Sequence, residues 1–197
     1  RILSELKCDA ALYSATLREL ALQMNARNIP DNPGELFNKV PIRDLHWVLN
    51  RSAQKFSRHS FNPDELQRTR LLETVVSSSA SETIASLKGC DTELAFFCAQ
   101  MRQLGMSLVG WNYPHVFKRA TGLLKEQQSL DEVIGRILGF SPSQLAISLA
   151  RRWGFSPRVL GLLEPQPIKS DLLSDVCTLS DKIAKACVNA NYLDKER

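Results

Sequence analysis

Helix boundary signals recur along this chain more often than any other local pattern. At Asn62-Pro63, Ser141-Pro142 and Ser156-Pro157, a residue whose side chain can cap a helix precedes a proline, which is favoured at the first helical position. Ser129 and Glu132 have the spacing of a capping box. Since evidence for strands is weak in comparison, the sequence predicts an all-α, multi-helix bundle.

Glycines after amphipathic runs indicate where several of these helices end. Gly89, Gly139 and Gly154 each stand where a helix would finish with a left-handed residue. Together with the start signals they place nine helices, with boundaries uncertain by about two to four residues. The predicted helices are 2–27, 42–58, 63–88, 92–109, 114–127, 130–138, 142–153, 157–163 and 171–190.

Apolar spacing predicts which face of two of these helices is buried. In the helix that starts at 142, an apolar residue recurs every four positions and predicts one buried stripe. The last helix has the same pattern with alternating steps of three and four. The two predicted stripes are Leu145, Leu149 and Trp153, and Leu172, Val176, Leu179, Ile183, Ala186 and Ala190.

We predict that residues 1–197 form a single domain. Three prolines and one glycine between residues 28 and 41 oppose regular structure and predict a linker. A second break, Glu164-Pro-Gln-Pro-Ile, precedes the last helix. The predicted parts are an N-terminal helical part at 1–28, the linker at 29–41, a helical core at 42–164 and a C-terminal helix at 165–197 that packs on the core.

Composition excludes several classes of protein. A hydrophobic content of 44% with 23% charged residues is ordinary for a soluble globular protein. No apolar run approaches the roughly 18–20 residues of a membrane span, and Glu5 and Lys7 interrupt the first segment, which argues against a signal peptide. The five cysteines form no Cys-x-x-Cys pair, which favours reduced thiols. We therefore expect a cytoplasmic protein with no membrane partner.

Two landmarks about forty residues apart form the most specific frame in the chain. Met101-Arg102-Gln103-Leu104-Gly105 lies within an apolar run, and Gly139-Phe140 precedes a helix that ends in Arg151-Arg152-Trp153-Gly154. This frame resembles the HDOD branch of the HD superfamily. There the first landmark usually has the sequence Leu-Leu-His-Asp-Ile-Gly, and the second has Gly-Phe-Asp-His before a helix ending in Arg-Trp-Gly.

The resemblance implies a helical fold related to metal-dependent phosphohydrolases, and a regulatory module of bacterial signalling proteins. It places the former metal-site positions at Glu73, Arg102, Gln103, Ser141 and Pro142. Guanidinium has no free lone pair for a metal, and proline has no side-chain ligand. We therefore expect no catalytic residue, no metal and no cofactor, and no enzymatic activity. We further hypothesise that Arg102 pairs with Glu73 or another acid in place of the metal ion.

The leading functional hypothesis is a non-catalytic signal-transduction module that acts through protein–protein interaction. Its expected partners are signalling proteins, or fused or associated sensor, receiver or cyclase-type domains. Trp111 and Tyr113 are candidate partner-binding residues, because Trp and Tyr are favoured at interfaces.

Two alternatives remain open at this point. Residues 39–70 contain seven Lys and Arg against three Asp and Glu, and Arg51, Lys55 and Arg58 have the spacing of one helix face. Such a stripe could bind nucleic acid or an acidic protein. The other alternative is a residual metal-dependent phosphohydrolase with an unusual site.

Overall fold

The protein is all-α, which confirms the predicted fold class. The computed structural model describes residues 2–24, 29–32, 34–56, 64–125, 128–164 and 171–195. Within these ranges it contains eleven helices and one isolated parallel bridge, between Ile29 and Phe155. The helices are α1 (Ile2–Lys7), α2 (Ala10–Gln23), α3 (Gly34–Lys39), α4 (Ile42–Phe56), α5 (Glu65–Lys88), α6 (Thr92–Asn112), α7 (Pro114–Gly122), α8 (Leu130–Leu138), α9 (Pro142–Arg152), α10 (Pro157–Leu163) and α11 (Leu172–Lys195).

Helix α6 is the centre of the molecule. It packs against α5, α9 and α11, and it also contacts α2, α7 and α10. Its first half contributes Phe97 to the main hydrophobic core, and its last turns contribute Val109 to a smaller core between α6, α7 and α8. Contacts with α6 therefore fix the positions of the helices around it.

Most of the predicted helix boundary signals function as expected. Ser129 and Ser141 each form a complete capping box, at the starts of α8 and α9. Gly89 and Gly139 end α5 and α8 in the left-handed conformation, with φ of 68° and 80°. The start of α5 was predicted two residues too early, because Asp64 caps this helix. The Asn62-Pro63 signal lies outside the described residues.

The prediction for the N-terminal region was wrong in two places. The helix predicted over 2–27 is interrupted at Cys8 and Asp9, and the Asp9 carboxylate accepts a hydrogen bond from the backbone N–H of Leu12 to begin α2. The predicted linker contains α3, which buries Phe37 against the ring of Tyr13 at 5.7 Å. Tertiary packing thus stabilises a short helix between the prolines.

The buried stripes of α9 and α11 lie one position away from the predicted ones. On α9 the buried residues are Pro142, Ala146 and Ala150, because this helix crosses α6 closely at Gly105. On α11, Leu172 and Leu179 are exposed. Among the α11 side chains that the structure describes, Val176 is buried as predicted, and the other buried positions are Leu173, Ser174, Cys177, Ser180, Ala184 and Val188. The side chain of the predicted Ala190 lies outside the described part of the helix.

None of the described helices has, by itself, the length and apolar content of a membrane span. Helices α8 and α9, which are bent by 79° relative to each other, meet that criterion only when they are taken together.

Candidate functional site

A cavity of about 280 Å³ lies beside the second half of α6, where the resemblance places the former metal site. Three of the five implied positions line it: Arg102, Gln103 and Pro142. The other lining residues come from α5, α6, α8, α9, the end of α10 and α11. They are Arg70, Met106, Asp131, Ser143, Ala146, Leu163, Thr178, Asp181, Lys182 and Lys185.

The guanidinium group of Arg102 is bound by residues of α10 and α11. Its Nε donates to the carbonyl oxygen of Leu162 at 2.8 Å, Nη1 donates to Oγ1 of Thr178 at 3.0 Å, and Nη2 donates to Oγ of Ser174 at 3.1 Å. Nη1 also lies 3.7 Å from Oδ2 of Asp181. With its side chain 10% exposed, this guanidinium is a fixed part of the cavity wall.

The acid that pairs with Arg102 is Asp181, a residue that the sequence analysis did not single out. Oδ1 of Asp181 accepts hydrogen bonds from Nε2 of Gln103 and from Oγ of Ser77, both at 2.7 Å. Its other oxygen faces Arg102. Asp181 therefore connects α11 to α5 and α6, through two hydrogen bonds to one carboxylate oxygen and an ion pair to the other.

Glu73, the other acid considered for Arg102, pairs with Arg70 one turn earlier on α5. Arg70 is buried, and its guanidinium carbon lies 6.0 Å from the centroid of the Phe117 ring. Burial lowers the pKa of Arg70 to about 10, and the charge of Asp181 opposes that shift. Arg70 had been counted in the basic segment 39–70, and the structure removes it from that surface.

The corner between α8 and α9 is fixed by capping interactions. Oγ of Ser141 accepts from the backbone N–H of Gln144, so this hydroxyl is occupied by the capping box. Oδ1 of Asp131 accepts from the backbone N–H and the hydroxyl of Ser143, at 2.8 and 2.9 Å. Of the two positions of this corner that the resemblance implies, Ser141 acts as the cap of α9 and Pro142 has no side-chain ligand.

The donor set around the cavity does not fit a divalent metal ion. Among the described residues, no three His, Cys, Asp or Glu side chains come together in a way that could hold one. The carboxylates that line the cavity are engaged by Arg102 and by seryl hydroxyls. His46 and His115 are exposed and do not line the cavity, and His59 lies outside the described residues.

The candidate partner-binding aromatics differ in exposure. Tyr113 is 48% exposed at the corner between α6 and α7, where its non-helical backbone, with φ of −132° and ψ of 57°, ends one helix before Pro114 begins the next. Trp111 lies on the last turn of α6 and is partly buried. Of these two residues, Tyr113 is the more accessible to a partner.

The basic segment carries fewer unpaired charges than its composition indicates. Arg51 lies 3.8 Å from Glu19 and 5.2 Å above the ring of Trp47. Lys55 belongs to α4, but its side chain, like the whole of Arg58, lies outside the described part of the structure. The predicted stripe of three cations therefore stays a prediction.

The residues of α11 that line the cavity were missed by the sequence analysis. Thr178, Asp181, Lys182 and Lys185 are spaced as one helix face, and this spacing was the available signal. The apolar residues had been assigned to a stripe one position away, so the polar face opposite them was not recognised.

Comparisons with known proteins agree with this architecture. The family model of the HDOD domain matches residues 46–166. The crystal structure of "Putative phosphohydrolase" from Shewanella amazonensis SB2B is similar in fold, with a TM-score of 0.54 and 18% sequence identity, over 92% of this chain and 67% of that one. No curated protein sequence matches the chain. The match to the family model spans more than half of the sequence and contains both landmarks of the frame, and this chain therefore belongs to the HDOD domain family.

Proposed function

We propose that this chain is a non-catalytic regulatory module that acts in signal transduction by binding other proteins. The observation that carries the proposal is the position of Arg102. A guanidinium stands where the related hydrolases have a metal-binding histidine, and it is held there by Leu162, Thr178 and Ser174. An ion at this position would meet a fixed positive charge rather than a lone pair.

The rest of the cavity supports the same proposal. Metal-assisted hydrolysis needs ligands that leave one coordination position open for water or substrate. Asp181 and Asp131 are the acids that line the cavity, and both already accept hydrogen bonds from neighbouring side chains. The side chains of this site are therefore organised to hold helices together.

A pair of biochemical measurements tests the lack of catalysis. The purified protein would be analysed for bound metal and then assayed with phosphomonoesters and phosphodiesters in the presence of added Mn²⁺ or Mg²⁺. We expect no stoichiometric metal, and no hydrolysis above that of the Arg102→Ala variant. A turnover that depends on metal and is lost with Asp181→Asn would instead support the alternative of a residual phosphohydrolase.

The interaction part of the proposal depends on an accessible surface, for which Tyr113 is the best candidate. Its half-exposed ring lies at a helix corner, and exposed aromatic residues are frequent anchors of protein interfaces. We expect Tyr113→Ala to weaken the capture of protein partners from an extract of the source organism without lowering thermal stability.

The matched control for this experiment is Phe140→Ala. This residue is an exposed aromatic at a different helix corner, between α8 and α9. If both variants capture the same partners as the wild type, the corner at Tyr113 is not the interface. Capture that survives high salt also separates protein partners from nucleic acid, whose binding falls steeply as salt is added.

A further inference from the structure

The cavity wall carries more positive than negative charge, and the excess lies on α11. Its cationic side chains are Arg70, Arg102, Lys182 and Lys185, and its anionic side chains are Asp131 and Asp181, which gives four minus two, or +2. Glu73 lies behind Arg70 and reduces the local sum to +1. An excess of this sign attracts anions into a concave site.

The two arginines are already neutralised by neighbouring acids. Arg102 faces Asp181, and Arg70 pairs with Glu73. Among the described residues, no carboxylate lies within 4.0 Å of the Lys182 or Lys185 ammonium group. The positive charge available to a ligand is therefore that of these two lysines, offset in part by the carboxylate of Asp131, which accepts hydrogen bonds from Ser143.

The two lysines are placed to act together. They are three residues apart on α11, so they lie on the same helix face, and both are exposed. The hydroxyls in the wall are not free to donate to a ligand, because Thr178 donates to the carbonyl of Ser174 and Ser143 donates to Asp131. Of the hydroxyl and ammonium groups in the wall, the two ammonium groups are thus the ones free to donate to a ligand.

The size of the cavity limits the ligand. Its volume is about 280 Å³, just below the roughly 300–1,000 Å³ of pockets that hold drug-sized molecules. We propose that this cavity binds a small tetrahedral oxyanion of the phosphate class without a metal ion, and that Lys182 and Lys185 hold the anion at the cavity mouth. This proposal is independent of the protein partner discussed above, since it concerns a different surface.

Calorimetric titration with inorganic phosphate tests the proposal. The titration would be done at low ionic strength with a chelator present, and repeated with sulfate and with sodium chloride of matched ionic strength. We expect phosphate and sulfate to bind and chloride to give no signal. The combined Lys182→Ala and Lys185→Ala variant should weaken phosphate binding by about tenfold or more, because a hydrogen bond to a charged group is lost at each position.

The matched control removes two other exposed lysines, with Lys88→Ala and Lys118→Ala on α5 and α7. These residues do not line the cavity, so the dissociation constant for phosphate should stay within about twofold of the wild-type value. Equal weakening in both double variants would overturn the proposal, since it would show a general effect of net charge. Unchanged binding in the α11 variant, a requirement for added Mg²⁺ or Mn²⁺, or the absence of any phosphate signal would overturn it as well.

The side-chain Nε–H resonance of Arg102 reports whether the anion enters the cavity. This group lies in the cavity wall, whereas the two lysines are exposed to solvent. We expect phosphate to shift this resonance in the wild type and not in the α11 double variant. Binding without any shift would place the anion on the outer face of α11 and overturn the assignment to the cavity.

Discussion

The two halves of α6 are stabilised in different ways, although they belong to one continuous helix. The first half, residues 92–100, lies in an aromatic core. Phe97 is fully buried there, with its ring centroid 4.9 Å from that of Phe155 and 5.8 Å from that of Tyr13. This half depends on large side chains that fill space between helices.

The second half, from Met101 to Asn112, also buries Met101, Leu104 and Val109, but it adds a missing side chain and polar contacts. Gly105 lies so close to α9 that a Cβ atom there would be 1.9 Å from the carbonyl oxygen of Pro142. Beside it, Arg102 is linked to Asp181 across the cavity wall. The close approach of α6 and α9 is made by backbone atoms, so it does not depend on the polar side chains beside it.

The largest effect is expected in the first half, from Phe97→Ala. Removing this fully buried ring leaves a cavity among aromatic neighbours, and the free energy of unfolding should fall by about 3–5 kcal/mol. Urea denaturation monitored by circular dichroism would measure the change. The control Leu87→Ala removes a side chain that is 81% exposed, and should cost about 0.5 kcal/mol or less. Similar losses in the two variants would contradict the aromatic-core description.

The second half of α6 should lose stability when a side chain is made larger at its contact with α9, and Gly105→Ala tests this. One methyl group would collide with the backbone of Pro142, so α9 must move, and we expect a loss of about 2–3 kcal/mol in the free energy of unfolding. Gly161→Ala is the matched control, since no atom lies within 4 Å of its added Cβ. That variant should be more stable by about 0.5–1 kcal/mol, because alanine is favoured in a helix. A neutral Gly105→Ala would show that the two helices are farther apart.

The Arg102–Asp181 link should contribute less than the backbone approach. We expect Arg102→Ala and Asp181→Ala each to cost about 2 kcal/mol, since each leaves polar partners unpaired in a wall that is partly accessible to water. A double-mutant cycle should give a coupling energy of about 1 kcal/mol. The exposed Lys39–Glu35 pair, whose side chains are 58% and 52% exposed, is the comparator, with an expected coupling of about 0.5 kcal/mol or less. A coupling near zero for Arg102 and Asp181 would reject this pair as a structural replacement for a metal.

Features that depend on a few adjacent residues could be predicted from the sequence. The capping boxes at Ser129 and Ser141 and the left-handed glycines at Gly89 and Gly139 were predicted at the correct positions. Each of these signals involves hydrogen bonds within one turn, so its physical cause is contained in the local sequence. The landmark at Gly105 was equally visible in the sequence, although its reason, the approach of Pro142, is tertiary.

Features that depend on distant residues could not be predicted. Asp181 lies 78 residues from Gln103 and 104 from Ser77 along the chain, and neither spacing indicates a contact. The buried face of α11 was misplaced for the same reason, since Ser174 and Ser180 are buried there and satisfy their hydroxyls locally or with Arg102. The spacing of apolar residues does not predict buried serines on the face of α11 that packs against α5, which itself buries serines.

The polar groups beside the first half of α6 should make the protein sensitive to alkaline pH. Burial, together with the charges of Glu93 and Glu82, raises the pKa of Tyr13 well above its usual value. Burial by itself lowers the pKa of Lys7, but its hydrogen bonds to Glu93 and Glu82 produce a net rise.

An unfolded tyrosine ionises near pH 10 while the folded Tyr13 keeps its proton, so stability should fall above that pH by at most about 1.4 kcal/mol per pH unit. The stabilisation from Lys7 is present below about pH 10.4 and is lost as pH rises through its folded pKa, which acts in the same direction.

Tyr13→Phe separates the contribution of Tyr13 from that of Lys7. The Tyr13 hydroxyl has no hydrogen-bond partner among the described residues, so at pH 7 the variant should lie within about 1 kcal/mol of the wild type. At pH 11 the wild type should have lost about 1 kcal/mol more than the variant, because phenylalanine has no proton to release in the unfolded state. If the free energy of unfolding falls equally with pH in wild type and Tyr13→Phe, water reaches the Tyr13 hydroxyl. The core beside the first half of α6 would then be more hydrated than its aromatic packing indicates.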